Sequence, residues 1–331
     1  MRRALLVVMG LAVVIACGTE TKFVQAPAPA GNDAGTTAPA GDDDDVVAGD
    51  DDDTTKADAA PEPSGYPDKW IDGTKCDTDP TIQTWEHAKG LFILRQSLCT
   101  SFEGPFMYLI VGDTKAILVD TGDGGIELRA KVKELLGTKD VELIVAHSHS
   151  HGDHVKGDTE FKGKAKTTVL GYPAKAVYDF FEIDGTALTP GSVDLGNRVI
   201  DVVPIPGHEA AHVAYFDRAS KVLLTGDTLY PGRLYVDDWA AYQKSIPRLL
   251  EFVTDGHTPS AILGGHIELR KAPKDGQPDF PFQSETHPNE HVLQLTLDDL
   301  KELDAVVKKE ATDHPDAPAN VLGKNFYFYP N

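Results

Sequence analysis

Apolar residues follow two rhythms between Tyr66 and Asn331. Short β-rich runs come first, in "GLFILRQSL", "FMYLIVG" and "KAILVD", separated by polar or glycine-containing turns. The period then lengthens. In "IELRAKVKELLG", Leu128, Val132, Leu135 and Leu136 fall on one helical face, and Gly137 follows as a stop. "VELIVA" and "TTVLGY" read as strands and "AKAVYDFF" as a short helix. A second strand series occupies "RVIDVVPI", "HVAYFD" and "KVLLTG". "DDWAAYQKSIPRLLEFV" predicts a helix bent or interrupted at Pro247. "SAILGG" predicts a strand, "LQLTL" alternates, and "DDLKELDAVVKK" predicts a helix capped by Asp298. Two batches of strands, each with covering helices and no internal repeat, predict an α/β (α+β layered) domain.

The first 65 residues break this pattern. "MRRALLVVMGLAVVIAC" places two arginines before a 13-residue apolar run, Ala4 to Ala16, that ends at Cys17. The run is shorter than the roughly 20 residues that span a bilayer, and has the size of a signal-peptide core. "VIAC" resembles a bacterial lipobox, which implies cleavage before Cys17 and its lipidation. Between Gly18 and Gly65 stand 12 acidic residues against 2 lysines, about half of the chain's net charge of −21. Few residues there could build a core, so the composition predicts a self-repelling tether. The expected organisation is a signal peptide at 1–16, an acidic linker at 17–65 and a folded domain at 66–331. The expected location is a membrane-anchored lipoprotein, with Gly18 after the cysteine pointing to the outer membrane facing the periplasm, or the cell surface. In such an oxidising compartment the two remaining cysteines, Cys76 and Cys99, are expected to pair. The acidity excludes nucleic acid as the main partner.

Candidate chemistry concentrates in "AHSHSHGDH", residues 146–154. The stretch follows the strand "VELIVA", so it begins extended, and residues i and i+2 point the same way. His149 and His151 can therefore reach one metal. Gly152 permits a turn that aims Asp153 and His154 elsewhere, towards a second. "AILVDTGDGGIE" offers Gly122, Gly124 and Gly125, but Glu127 stands where a dinucleotide loop needs its third glycine. No GxSxG nucleophile and no CxxC metal pair occurs.

"HSHGDH" resembles the H-x-H-x-D-H signature of the metallo-β-lactamase-fold hydrolases. Further elements of that family follow in order. "LVDTG" resembles the early strand-turn motif, in which Asp120 supports the metal loop. "PGHEAAH" carries His208, "LLTGDTL" carries Asp227 and "GGH" carries His266. The resemblance implies an αββα sandwich holding two Zn2+ ions, with iron or manganese as alternatives. One ion takes His149, His151 and His208, the other Asp153, His154 and His266, and Asp227 bridges. His147 and His212 fall behind the ligands. The implied activity is zinc-dependent hydrolysis by a metal-bound hydroxide, oriented by Asp153, on a small ester, thioester, lactone or lactam.

Departures from other branches narrow this reading. Asp227 stands where cysteine-ligated lactamases carry Cys, and so resembles the glyoxalase II and lactonase branches. His151 stands where diiron redox members carry Glu. The alternatives are a non-catalytic metal-dependent binding or sensor lipoprotein, a β-lactamase, and a mononuclear iron persulfide dioxygenase. The segment after Asp227, "TLYPGRLY", is expected to face substrate. There Tyr230 and Tyr235 would supply aromatic walls, and Arg233 would grip a carboxylate unless it pairs with Asp237 or Asp238.

Overall fold

The computed structural model describes residues 65–330. The N-terminal apolar run, Cys17 and the acidic tract therefore lie outside the described residues. Among the described residues, no helix is long and apolar enough to cross a membrane.

The chain begins with β1 (Ile82–Ala88), β2 (Leu91–Gln96), β3 (Phe106–Val111) and β4 (Lys115–Val119). It continues through α1 (Leu128–Leu136), β5 (Glu142–Ala146), α2 (Gly152–Val155), β6 (Thr167–Val169) and α3 (Ala174–Phe181). These six strands form one sheet in sequence order. The first four run antiparallel, whereas β4, β5 and β6 are parallel. The second half supplies β7 (Gly191–Asp194), β8 (Val199–Pro204), β9 (Val213–Asp217), β10 (Val222–Gly226), β11 (Arg233–Val236) and α4 (Trp239–Thr254). Then come β12 (Ala261–Gly264), β13 (Leu269–Lys274), β14 (Gln277–Asp279), β15 (Gln294–Leu295), α5 (Leu297–Asp313), β16 (Val321–Leu322) and β17 (Tyr327–Pro330). The second sheet has the order β15-β12-β10-β9-β8-β7.

Strand alternation builds the layers. Along β2 to β4, Ile93, Tyr108, Ile110, Ile117 and Val119 face inward and meet Ile200, Val202, Val213, Tyr215 and Leu224 of the second sheet. Their neighbours Leu94, Leu109 and Leu118 face outward, onto Leu128 and Val132 of α1. On the far side, Ala214, Phe216, Leu223 and Ile262 pack against α4 and α5 through Tyr242, Ile246, Leu249, Leu300 and Leu303. The result is the expected α/β αββα sandwich. Burying an aliphatic side chain of this kind contributes about 1.5–3 kcal/mol, so the two outer helical layers are held by apolar contact rather than by helix propensity.

Local details differ from the sequence expectations. Helix α4 runs unbroken through Pro247, because Tyr242, Ile246, Leu249 and Val253 are all buried along one face and hold both turns. Helix α5 is capped by Thr296 in a reciprocal box with Asp299, while Asp298 lies in the first turn. Cys76 and Cys99 form a disulfide. Trp70 lies between the sheets against Phe106, at a ring separation of 5.1 Å.

Parallel pairing matters for the site. Val119 pairs with Ala146, and Gly226 with Gly264. The C-terminal ends of β4, β5, β10 and β12 thus open at the same end of the sandwich. There the next residues are Asp120, His147, Asp227 and, after Gly265, His266.

Candidate metal centre

Asp120 organises the loop after β5. Its backbone takes a left-handed conformation, φ 66°, in which Asp is among the better tolerated non-glycine residues. The carboxylate accepts Ser148 N at 2.7 Å, Ser148 Oγ at 2.8 Å and His154 Nδ1 at 2.9 Å. The chain bends at Ser148, is extended at His151 and turns at Gly152 into α2, whose first residues carry Asp153 and His154.

Two donor sets result. His149 Nε2, His151 Nδ1 and His208 Nε2 lie 3.0, 3.1 and 3.2 Å from one another. Asp153 Oδ2, His154 Nε2 and His266 Nε2 are separated by 3.1, 3.2 and 3.3 Å. Asp227 stands between the sets. Its Oδ2 is 3.8 Å from His149 Nε2 and 3.7 Å from His208 Nε2, and its Oδ1 is 3.5 Å from His154 Nε2 and 3.4 Å from His266 Nε2.

The hydrogen bonds behind the rings fix what these nitrogens offer. Backbone carbonyls accept only, so His208 Nδ1 must donate to Tyr235 O at 2.9 Å, and His266 Nδ1 to Glu103 O at 3.0 Å. His154 Nδ1 likewise donates to Asp120. Ser148 Oγ donates to Asp120 and so accepts from His149 Nδ1, at 3.0 Å. With Nδ1 committed as a donor, the Nε2 of each of these four rings is the atom left for a metal, which would displace any proton it carries. A tetrahedral ion with bonds of about 2.0–2.2 Å separates its ligand atoms by roughly 3.3–3.6 Å, close to the spacing of both sets. Asp227 Oδ1 is buried without a hydrogen-bond partner, as an oxygen reserved for an ion would be. The donors fit two divalent metals.

Two glycines keep this cluster tight. A Cβ on Gly226, φ 49°, would lie 2.6 Å from Ser148 Cβ. A Cβ on Gly265 would lie 2.3 Å from Asp227 Oδ1.

Charge is balanced inside the cluster. Burial pushes His149 well below its ordinary pKa. Burial also opposes charge on His154 and His266, yet Asp153 and Asp227 beside them raise both well above it. Burial would raise Asp153 and Asp227, but the same histidines hold both carboxyls below the usual range.

The residues expected behind the ligands take supporting places. His147 Nε2 pairs with Asp158 Oδ1 at 2.8 Å and does not join either set. His212 stacks on His149 at 4.9 Å and accepts Asp227 N at 3.3 Å. Tyr230 is buried, 5.5 Å from the His266 ring, and its hydroxyl bonds Glu268 Oε2 at 3.0 Å. Tyr235 packs on Tyr329 at 5.4 Å.

Arg233 corrects an expectation. Its Nη1 donates to Asp279 Oδ2 at 2.9 Å and Phe280 O at 3.0 Å, and its Nη2 to Glu268 Oε1 at 2.7 Å. These terminal donors are committed inside the protein, to neither Asp237 nor Asp238, so no fork remains to grip a substrate carboxylate. Glu103 was invisible in the sequence because its contribution is a main-chain carbonyl.

Residues 101–307 match the family model described as Metallo-beta-lactamase superfamily. The chain belongs to that superfamily. Among curated relatives it is similar to the hydroxyacylglutathione hydrolase of Methylobacterium sp. (strain 4-46). The two are 32% identical over 45% of this chain and 56% of the relative. It is also similar to the enzyme of that name from Bdellovibrio bacteriovorus, 28% identical over 45% and 59%. The chain thus spans a little over half the length of these relatives. Among solved structures, a metallo-β-lactamase from Pontibacter korlensis matches with a TM-score of 0.46 and 15% identity, covering 69% of this chain and 99% of that one.

Proposed function

We propose that the protein is a hydrolase with two zinc ions that cleaves a small ester, thioester, lactone or lactam. The observation that carries this is the division of Asp227. One carboxylate oxygen faces each donor set, and His149, His208, His154 and His266 are each held from behind through Nδ1. His149, His151 and His208 would hold one ion, Asp153, His154 and His266 the other, and Asp227 would span them. When bound, two divalent ions supply Lewis acidity and bring a water's pKa towards about 7.

The chain's own residues do the rest. Asp153 is partly exposed, at 17%, and its carboxylate can accept a hydrogen bond from water at the mouth of the site and orient it. Asp120, Ser148 and His212 hold the ligating loops still, so little reorganisation is needed as charge develops. The names of the relatives favour an acyl thioester within the substrate range. No Ser or Cys nucleophile is required.

The test is hydrolysis of an ester, thioester, lactone and lactam panel by zinc-loaded protein. Turnover of at least one class, abolished by chelation and restored by zinc, is expected. Metal binding without turnover on the whole panel would instead favour a binding or sensor role.

We also propose that Cys17 carries a lipid and tethers the domain to a membrane. The short apolar run ending at "VIAC" supports this.

A further inference from the structure

The Cys76–Cys99 cross-link takes no part in the proposed chemistry, yet one of its ends lies four residues from a group that supports a ligand. We infer that this disulfide is a positioning element for His266, and so governs metal affinity at the Asp153–His154–His266 set and not at the other. The inference rests on the two-ion reading above.

Cys99 lies in the loop that joins β2 to β3. That loop is stiffened by its own bonds. Thr100 N and Ser101 N donate to Ser97 O at 2.9 and 3.2 Å, Glu103 N to Ser101 Oγ at 3.3 Å, and Gly104 N to Ser101 O at 3.1 Å. A shift at Cys99 therefore carries through to Glu103. The Glu103 carbonyl accepts His266 Nδ1 at 3.0 Å and sets which ring nitrogen enters the site. Just beyond it, Phe106 N donates to Gly265 O at 2.8 Å.

The other half of the cross-link is anchored independently. Asp72 O accepts His287 N at 2.8 Å. Gly73 sits so close to the 285 backbone that an added Cβ would lie 2.0 Å from Glu285 O. Trp70 is buried between the sheets. The disulfide thus ties a stiff loop to a fixed segment, across a sequence separation of 23.

The remaining ligands have other supports. His149 is backed by Ser148, His208 by the Tyr235 carbonyl, and His154 by Asp120. None of these groups belongs to the loop. Dependence on the cross-link runs through Glu103 to His266 alone. Losing the group that orients a ligand typically costs 10–100-fold in metal affinity.

The experiment titrates zinc, against a competing chelator, into metal-free full-length protein carrying Cys76→Ser and Cys99→Ser together. The same pair of changes is made in His208→Ala and in His266→Ala backgrounds, which isolate one set each. Removing the disulfide should weaken zinc binding about tenfold or more in the His208→Ala background. It should change binding by less than about threefold in the His266→Ala background. Unchanged affinity in the first, or equal weakening in both, overturns the inference. Wild-type protein that saturates with a single zinc sinks the two-ion reading itself, a separate result. Should the double serine variants not fold, the folded His208→Ala and His266→Ala proteins reduced with a phosphine are compared in the same way after their thiols are capped. There the disulfide takes two electrons and becomes two thiols, and the phosphine leaves as its oxide with oxygen from water.

Discussion

Arg233 donates to Glu268, Asp279 and Phe280, so its removal should act on stability before it acts on substrate. Arg233→Ala leaves two largely buried carboxylates without their cation, a change that costs about 3–5 kcal/mol for a buried pair and less where water reaches it. Urea unfolding should show a loss of a few kcal/mol. An unchanged midpoint, with KM raised only for anionic substrates, would restore the carboxylate-gripping role. His87 gives a pH signature. Burial holds its pKa below the ordinary value, opposed by its contact with Gly65 O at 3.2 Å. As pH falls, the unfolded chain therefore binds the proton first. The contribution is fully present above about pH 6.5 and is lost as pH drops from there towards the folded value. Metal-free wild type should lose more stability than His87→Gln between about pH 7.5 and about pH 5.5. Parallel losses would contradict this assignment. At this scale four donors stand out within the six positions of H-x-H-x-D-H, while His208, Asp227 and His266 were reached through the family resemblance; the structure brings all seven side chains together. The partners of Arg233 were not legible, since Glu268 and Asp279 lie 35 and 46 residues further along the chain.

Elements with strong periodicity appear where the sequence puts them. Helix α1 and strands β2 to β5 are examples, because each has at least one face buried in a core layer. The weak ones escaped. Strand β1, "IQTWEHA", and β7, "GSVD", lie at sheet edges with mixed burial, so no alternation marks them. Strands β11, β16 and β17 pair only with one another, in a small sheet that depends on contacts far apart in sequence. The start of α5 shows how local chemistry is misread by two residues. Thr296 N and Oγ1 both bond Asp299 Oδ2 at 2.7 Å, which closes the helix two residues before Asp298. Thr296→Ala should cost about 1 kcal/mol in thermal or denaturant unfolding, and Asp298→Ala only a few tenths. The reverse order would return the cap to Asp298.

The whole molecule turns two strand series into a four-layered sandwich whose strand ends gather the site. That gathering needs parallel pairing of β4 with β5 and of β10 with β12, which hydrophobic rhythm alone does not specify. The family resemblance specified it. Beyond the described residues, mass spectrometry of the membrane-bound protein should find a chain that begins at an acylated Cys17. A membrane-bound chain that keeps its first 16 residues would refute the lipid anchor. The central claim is that one cluster holds two ions through a shared carboxylate. Elemental analysis of zinc-saturated full-length protein, with His208→Ala and His266→Ala alongside, tests it most directly. The account predicts about two zinc ions per chain, falling to about one in each variant as one set is broken and the other kept. A single zinc at saturation in the unaltered protein would contradict it.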